Sequence, residues 1–311
     1  MAKSHSERNL LSHTIIMISG LISLYVASLI KTMPYVKTEV PTPVPFHQVL
    51  SAAPLPEEKK EVAAKSSPGI QASSYIAMDL RSGKILTSKN IKSRRSIASI
   101  TKLMTALIIL DEHDLNDIVK VSANGINIEG SRIWLAQGEK ITIRDLLYGL
   151  LIHSGNDAAY TLAIHNAGTI EKFITKMNEK AGKLGLTATH FGNPAGLDRA
   201  DNYSTAEDIA LLGSYAYRNS FIRHAVSIPK ITVMSVNGQF KHELKSTNTL
   251  LEKDSRFRGL KTGHTAEAGY SFVGVATLPN NAPILTVVLD SPDRFKESIA
   301  LLDWTRENFT W

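Results

Sequence analysis

Apolar residues recur with two different periods along this chain. In residues 73–90 (SSYIAMDLRSGKILTSKN) every second position is mostly apolar on both sides of the turn RSG, which predicts a β-hairpin. Over residues 111–230 the spacing is mostly that of helices, as in IRDLLYGLLI, NDAAYTLAIHNAG and IEKFITKMNEKAGKLG. Gly168 and Gly185 are predicted to end two of these helices.

The period returns to two after residue 230. Strands are predicted in KITVMSV and QFKHEL, which flank Asn237-Gly238, and then in FRGLKTG, YSFVGVATL and PILTVVL. A last helix is predicted in DRFKESIALLDWTRENF. Strands at both ends with helices between them predict one antiparallel sheet, built from N- and C-terminal strands and covered by a helical region. The predicted fold class is α+β.

The N-terminus carries a segment of a different kind. Lys3 and Arg8 precede residues 14–30 (TIIMISGLISLYVASLI), an uncharged apolar stretch long enough for a signal sequence and at the lower limit for a membrane span. Both interpretations predict export. Val26-Ala27-Ser28 is typical of a cleavage site, but the apolar run continues beyond it, which favours an uncleaved anchor. A buried core helix is the remaining alternative.

Residues 32–70 are rich in proline, lysine, glutamate and alanine, as in PTPVPF and PLPEEKKEVAAK. Such a composition has too little apolar surface to form a core and predicts a disordered, extended tether. The predicted organisation is therefore a signal sequence or membrane anchor over 1–31, the tether over 32–70, and one folded domain over 71–311.

Composition narrows the classes of function. Of the 311 residues 43% are hydrophobic and 21% charged, which is ordinary for a globular protein. The net charge is +6, but only Lys92, Arg94 and Arg95 form a basic cluster, so no nucleic-acid partner is predicted. A chain without cysteine has no disulfide, thiolate nucleophile or cysteine-based zinc site. No cofactor and no metal are predicted.

Ser99 and Lys102 lie three residues apart in SIASITKLMTAL, where an apolar run calls for a core residue at position 102. Positions three apart share one face of a helix, so the amine can reach the hydroxyl. A lysine whose pKa is lowered by burial can take the serine proton and make the oxygen a nucleophile. The structural alternative is a helix-capping serine followed by a lysine that reaches solvent.

Ser154-Gly155-Asn156 is a second polar group, at a break between two apolar helical runs. In a cleft, the hydroxyl could relay a proton and the amide could hold a substrate carbonyl. A turn in which one of these residues caps the next helix is the alternative.

Lys261-Thr262-Gly263-His264-Thr265 follows a predicted strand. Lysine supplies a fixed charge there, and glycine lets a substrate backbone approach the strand. The hydroxyls of Thr262 and Thr265 could donate hydrogen bonds to a carboxylate. An ordinary strand end is the alternative.

The three groups occur in the order S-x-x-K, S-x-N and K-T-G, which is typical of penicillin-binding proteins and serine β-lactamases, with Gly155 in place of the aspartate of the S-D-N form. With HSGNDAA, FGNPAGLDRADNYSTAEDIA and GLKTGHTAEAGYSFVGVA, the chain resembles the D-alanyl-D-alanine carboxypeptidase family of penicillin-binding serine D,D-peptidases, from about residue 75 to residue 304. The resemblance implies the fold shared by these peptidases and serine β-lactamases.

The resemblance also implies roles for the motif residues. Ser99 is expected to attack the penultimate D-alanine of a peptidoglycan stem peptide and form an acyl-enzyme, with Lys102 as its base. Ser154 is expected to pass a proton to the leaving amine. Lys261 is expected to hold Ser154 and to attract the substrate carboxylate.

Substrate binding is expected at a further set of residues: Asn156, Lys261, Thr262, Gly263, His264 and Thr265. The backbone N–H groups of Ser99 and His264 are expected to form an oxyanion hole, and the imidazole of His264 is predicted to be a surface group. Ser204 or Thr205 is predicted to cap a helix from Ala206, within a loop interpreted as structural.

Only about fifty residues follow the K-T-G motif, which is similar to the shorter D-alanyl-D-alanine endopeptidase branch of the family. Endopeptidase activity on cross-links is therefore the first expectation, and carboxypeptidase activity is the alternative. The lack of an E-x-x-x-N arrangement after the S-x-N motif disfavours a β-lactamase.

A β-lactam sensor without turnover is disfavoured because only about thirteen residues precede the apolar segment, and a catalytically inactive wall-binding module because all three motifs are intact. The expected partners are peptidoglycan stem peptides, β-lactams as covalent inhibitors and, through an uncleaved N-terminal segment, the inner membrane. The expected location is the periplasmic side of the bacterial envelope, membrane-anchored or secreted.

Overall fold

The computed structural model describes residues 55–59 and 68–311, so the predicted signal sequence or anchor lies outside the described residues. The described strands are β1 (Glu57–Glu58), β2 (Ser74–Asp79), β3 (Ile85–Lys89), β4 (Ile118–Lys120), β5 (Lys140–Thr142), β6 (Lys230–Met234), β7 (Lys241–Lys245), β8 (Phe257–Thr265), β9 (Gly269–Thr277), β10 (Pro283–Ser291) and β11 (Phe309–Thr310). The described α-helices are α1 (Lys102–Glu112), α2 (Ile143–Leu151), α3 (Asn156–Ala167), α4 (Ile170–Lys183), α5 (Ala206–Arg218), α6 (Ser220–Ala225), α7 (Leu250–Lys253) and α8 (Arg294–Asn308).

The main sheet has five antiparallel strands in the order β3-β2-β10-β9-β8. Its N-terminal hairpin joins the C-terminal strands where β2 pairs with β10, with Ala77 opposite Thr286. Strand β8 lies at one edge, paired only with β9 in this sheet. The predicted α+β class, with one sheet from both ends of the folded part, is confirmed.

Both faces of the sheet are buried. Ile76 and Met78 point into the larger apolar core, towards the helical region, whereas Tyr75 and Ala77 pack on the opposite face. Helix α5 contacts the first face and α8 the second. Because successive side chains of a strand point to opposite faces, the two cores are filled by alternate residues of the same strands.

Helix α1 runs through the middle of the larger core, with its residues from Lys102 to Leu110 buried. A helix that is apolar on all sides has no solvent face, which fits this central position. Other helices begin at capping hydroxyls, since Thr142, Thr169 and Thr205 each accept a hydrogen bond from the backbone N–H three residues on. The predicted cap at Thr205 is thus the one found.

Residues 55–59 and 68–70 of the predicted tether are described, and the rest of the tether lies outside the described residues. Strand β1 pairs with β11, with Glu57 opposite Thr310 and Glu58 opposite Phe309. The pairing uses backbone groups, and Pro56 also accepts a hydrogen bond from the Lys84 amine at 2.7 Å. The amino-acid composition of a segment indicates whether its side chains can form a core. It does not indicate whether the backbone of that segment can pair with the edge of a strand that is distant in the sequence.

Within the described ranges, no helix is both long and apolar enough to cross a membrane.

Gly196 provides a test of how closely two loops approach. Its φ is +84°, and a Cβ there would lie 1.8 Å from the carbonyl oxygen of Ala98. Gly168 has a similar φ of +80° but no heavy atom within 4 Å of such a Cβ. We expect Gly168→Ala to lower the free energy of unfolding by about 1–2 kcal/mol through backbone strain alone. Gly196→Ala adds overpacking, for roughly 2–5 kcal/mol.

Denaturant unfolding of both variants measures the difference. Equal losses would contradict the close approach of the Gly196 loop to the turn that carries Ala98.

Candidate active site

Ser99 lies in a 3-10 turn, Ala98–Thr101, directly before α1. In a 3-10 turn, side chains three residues apart eclipse each other, so Ser99 and Lys102 point the same way. The N-cap of α1 is Thr101, not Ser99. The structure therefore replaces the predicted helical face with a tighter turn, and the Lys102 Nζ lies 2.7 Å from the Ser99 Oγ.

The amine of Lys102 is fully buried and has three oxygen neighbours. It donates to Asn156 Oδ1 and to the carbonyl oxygen of Ala195, both at 2.7 Å. These two oxygens can only accept, so they take two N–H groups. In the neutral amine the lone pair is then left for the hydroxyl proton of Ser99. Burial lowers the pKa of Lys102 well below its ordinary value, and the charge of Lys261 lowers it further.

A short loop presents the Ala195 carbonyl. The side chain of Asn193 accepts hydrogen bonds from the backbone N–H groups of Ala195, Gly196 and Leu197, at 3.1, 2.7 and 3.0 Å. This one amide oxygen fixes the loop that faces Lys102. Sequence analysis interpreted the segment only as structural, and the structure adds that its backbone contacts the amine.

Asn156 begins α3, directly after the turn that holds Ser154. Its Nδ2 donates to the carbonyl oxygen of Glu129 at 2.6 Å, which leaves Oδ1 facing Lys102. Gly155 stands where the S-D-N form has aspartate, and a Cβ there would lie 2.9 Å from the Asp157 carboxylate. That carboxylate accepts from the backbone N–H of Ile133 at 3.0 Å.

Ser154 and Lys261 form a second buried pair. The Lys261 Nζ donates to the Ser154 Oγ at 2.9 Å and to the Thr262 carbonyl at 3.1 Å. Burial lowers the pKa of Lys261 to about 7, and the nearby Arg294 guanidinium contributes. Arg294, at the start of α8, donates to the Gly263 carbonyl at 2.8 Å.

The K-T-G-H-T stretch lies on edge strand β8 beside the Ser99 turn. A Cβ at Gly263 would lie 2.8 Å from the Ile97 carbonyl, so this glycine is needed for the turn itself, not only for a substrate. Thr262 shares a hydrogen bond with Thr247 at 2.6 Å, and the Thr265 hydroxyl accepts from the Ala268 N–H at 3.1 Å. Both hydroxyls thus have protein partners.

His264 is exposed, and its ring stacks on Tyr270 with 4.2 Å between ring centroids. The side chain is a surface group, as predicted. A role for its backbone N–H stays a prediction.

The structure brings Ser99, Lys102 and Ser154, the three predicted catalytic residues, to one place with Asn156 and Lys261. Sequence reasoning missed the Ala195 carbonyl and Arg294. Arg294 sits in SPDRFKE, where no spacing or composition marks it, because its proximity to Lys261 depends on how α8 packs on the sheet.

Known proteins resemble the chain over this whole region. A model of the D-alanyl-D-alanine carboxypeptidase family matches residues 61–293. The D-alanyl-D-alanine carboxypeptidase of Streptomyces sp. strain K15 is 36% identical over 253 residues, which are 76% of this chain and 87% of that protein. The chain belongs to the D-alanyl-D-alanine carboxypeptidase family.

Other family members are longer. DacA of Haemophilus influenzae is 35% identical over 256 residues, which are 78% of this chain and 63% of that protein. The chain thus spans less than two thirds of the length of this relative. The crystal structure of the Streptomyces K15 DD-transpeptidase matches with a TM-score of 0.71 and 33% identity, over 78% of this chain and 99% of that one. The fold of the present chain is therefore that of the family.

The lowered pKa values of Lys102 and Lys261 predict two opposite effects of pH on the acylation of Ser99. The rate should rise with pH as Lys102 becomes neutral, and fall as Lys261, with a pKa of about 7, loses its charge. Arg294→Gln removes a cation beside Lys261, so the pKa of Lys261 rises and the falling limb moves to higher pH. The measurement is the rate of labelling by a fluorescent penicillin against pH.

Exposed Lys296 on the same helix provides the control. Lys296→Gln should leave the falling limb in place. An unmoved limb in Arg294→Gln would contradict the assignment of that limb to Lys261.

Proposed function

We propose that the protein is a serine D,D-peptidase that acts on peptidoglycan stem peptides through an acyl-enzyme on Ser99. The observation that carries the proposal is the Lys102 amine, which is fully buried, 2.7 Å from the Ser99 hydroxyl and donating to two obligate acceptors. This arrangement favours a neutral base directed at a hydroxyl. The relatives are named D-alanyl-D-alanine carboxypeptidases, which supports the same class of reaction.

In the first step, the Ser99 proton moves to the Lys102 Nζ while the oxygen bonds to the carbonyl carbon of the penultimate D-alanine. The carbonyl oxygen becomes an oxyanion, held by the backbone N–H groups of Ser99 and His264. When the C–N bond breaks, the proton held by Lys102 passes through the Ser154 hydroxyl to the leaving amine, which leaves the Lys102 amine neutral. Water then attacks the ester carbonyl carbon and gives a proton to Lys102. That proton passes to the Ser99 oxygen as the C–O bond of the ester breaks and the acyl group departs as a carboxylic acid.

The cations Lys261 and Arg294 supply the electrostatics for the substrate. Lys261 lies on β8 and donates a hydrogen bond to the Ser154 hydroxyl. Arg294, at the start of α8, donates a hydrogen bond to the Gly263 carbonyl of the same strand. A carboxylate at the end of the peptide is stabilised between two such groups. Lys261 also holds the Ser154 hydroxyl in place for proton transfer.

The cleaved bond lies either within a cross-link or at the end of a free stem peptide. Endopeptidase action on cross-links is the sequence-based prediction, and carboxypeptidase action agrees with the names of the relatives. Both use the same residues, since they differ in the group attached beyond the scissile bond. Location on the outer side of the inner membrane, through residues 1–31, belongs to the same proposal.

Lys102→Ala should lower acylation of Ser99 by a fluorescent penicillin about 10²–10⁴-fold, the usual contribution of a general base. Lys172→Ala, at an exposed position of α4, serves as the matched control and should react normally. Mass spectrometry of the labelled peptide identifies the acylated residue. Normal reaction of folded Lys102→Ala would overturn the role of the amine.

Analysis of the reaction products distinguishes cleavage of cross-links from removal of the terminal D-alanine. The full chain is incubated with cross-linked muropeptide dimers and with monomeric pentapeptides, and the products are identified by mass spectrometry. Conversion of dimers to monomers is the expected result. Loss of one D-alanine from pentapeptides alone would contradict the endopeptidase prediction and establish a carboxypeptidase, whereas turnover unchanged in Ser99→Ala would contradict the proposed nucleophile.

A further inference from the structure

A buried histidine–carboxylate pair lies behind the site. The side chain of His242 on β7 is 4% exposed and that of Glu139, just before β5, is 0% exposed. The His242 Nε2 lies 2.7 Å from Glu139 Oε1, and its Nδ1 lies 2.8 Å from the Ile133 carbonyl oxygen. The other carboxylate oxygen of Glu139 accepts from the Ala136 N–H at 3.0 Å.

These contacts set the number of protons on the pair. A carbonyl oxygen only accepts, so the Nδ1 of His242 must donate to Ile133. The Nε2 faces a carboxylate oxygen, and two acceptors cannot bond without a proton between them. The pair therefore keeps one proton between ring and carboxylate, and loss of that proton removes one of the two hydrogen bonds of the ring.

The charges around the ring favour this protonated form. The hydrogen bond to Glu139 raises the pKa of His242, and the nearby Asp157 carboxylate acts in the same direction. The carboxylate of Asp145 on α2 also interacts electrostatically with the same imidazole. On the outer side, the ring adjoins a surface cleft whose charged and titratable lining groups are Arg132, His153, Lys241 and Glu243.

Ile133 belongs to the 129–135 segment, which contacts the start of α3. Asp157 accepts from the N–H groups of Ile133 and Leu135, at 3.0 and 3.1 Å. Thus the carboxylate next to Asn156 and the imidazole of His242 hold the same short stretch of backbone from two sides.

The front of the 129–135 segment holds Asn156. The Ser131 carbonyl accepts from the Asn156 N–H at 2.7 Å, and the Glu129 carbonyl accepts from its Nδ2 at 2.6 Å. The Oδ1 of that same amide contacts the Lys102 amine at 2.7 Å. A shift of the segment would therefore turn the amide and change the hydrogen bonding of the base.

We infer that His242 and Glu139 are positioning residues for acylation: together they form a proton-dependent latch that holds the 129–135 segment, and through it Asn156, against Lys102. The inference rests on the proposed function, because it needs Lys102 to act on Ser99. Since the pKa of His242 in the folded protein lies above its ordinary value, the latch is closed below the ordinary value and opens as the pH rises through the raised one.

Two variants of the full chain test the latch. His242→Leu removes both ring hydrogen bonds, and should lower the acylation rate at saturating penicillin roughly 10- to 100-fold, the effect of a misplaced catalytic group, with little change in penicillin affinity. Glu139→Gln replaces the acceptor by an amide that can donate to the neutral ring. It should acylate normally at neutral pH and lack the part of the alkaline decline that belongs to the latch, while the limb assigned to Lys261 remains.

Glu243→Gln, on the exposed face of the same strand, is the matched control and should behave as the unaltered protein at every pH. Thermal melts show which variants are folded. A folded His242→Leu with a normal acylation rate, or an alkaline decline in Glu139→Gln identical to that of the unaltered protein, would overturn the latch.

If His242→Leu does not fold, the pH profile of Glu139→Gln decides alone. Absence of acylation in the unaltered protein, or acylation that persists in Ser99→Ala, would instead overturn the proposed function, and the latch with it.

Discussion

A desolvated amine directed at a hydroxyl is the interaction on which this site depends. Burial of Lys102 removes the water that would stabilise its charge, so its pKa falls well below the ordinary value and the neutral form is favoured. Such a group is tolerated inside a core only when its N–H groups are bonded, and Asn156 and Ala195 provide the acceptors. The start of α1, the start of α3 and the Asn193 loop must therefore meet at one atom.

A second buried lysine sets the electrostatic balance. The charge of Lys261 lowers the pKa of Lys102, and the charge of Arg294 lowers the pKa of Lys261, because like charges repel each other. A positive charge on Lys261 therefore makes protonation of the Lys102 amine less favourable. The edge strand β8 and helix α8 thus influence the base as well as the substrate side of the cleft. Lys102 lies on α1, Lys261 on β8 and Arg294 on α8, so a helix or strand carries each of the three cations.

Much of this arrangement could be predicted from local patterns. The alternation in residues 73–90 predicts the hairpin β2–β3, and the capping hydroxyl of Thr205 predicts the start of α5, because both signals come from neighbouring residues. The motif spacing likewise predicts that Ser99, Lys102 and Ser154 belong to one site, and the structure places them near one another. Strand β1 was not predicted, since its partner β11 lies at the other end of the chain. The close approach of the Ile97 carbonyl to Gly263 was not predicted, because contact with a distant backbone segment has no local signal.

By itself the sequence determined most of the element types, the α+β class and the residues predicted to carry out acyl transfer. Periodicity, capping and motif order depend on residues close together in the chain. Only the tertiary structure decided that Lys102 is buried, that Arg294 adjoins Lys261 and that His242 meets Glu139. The physical reason is that burial and charge proximity depend on which distant segments pack together, and a side chain's pKa follows from that packing.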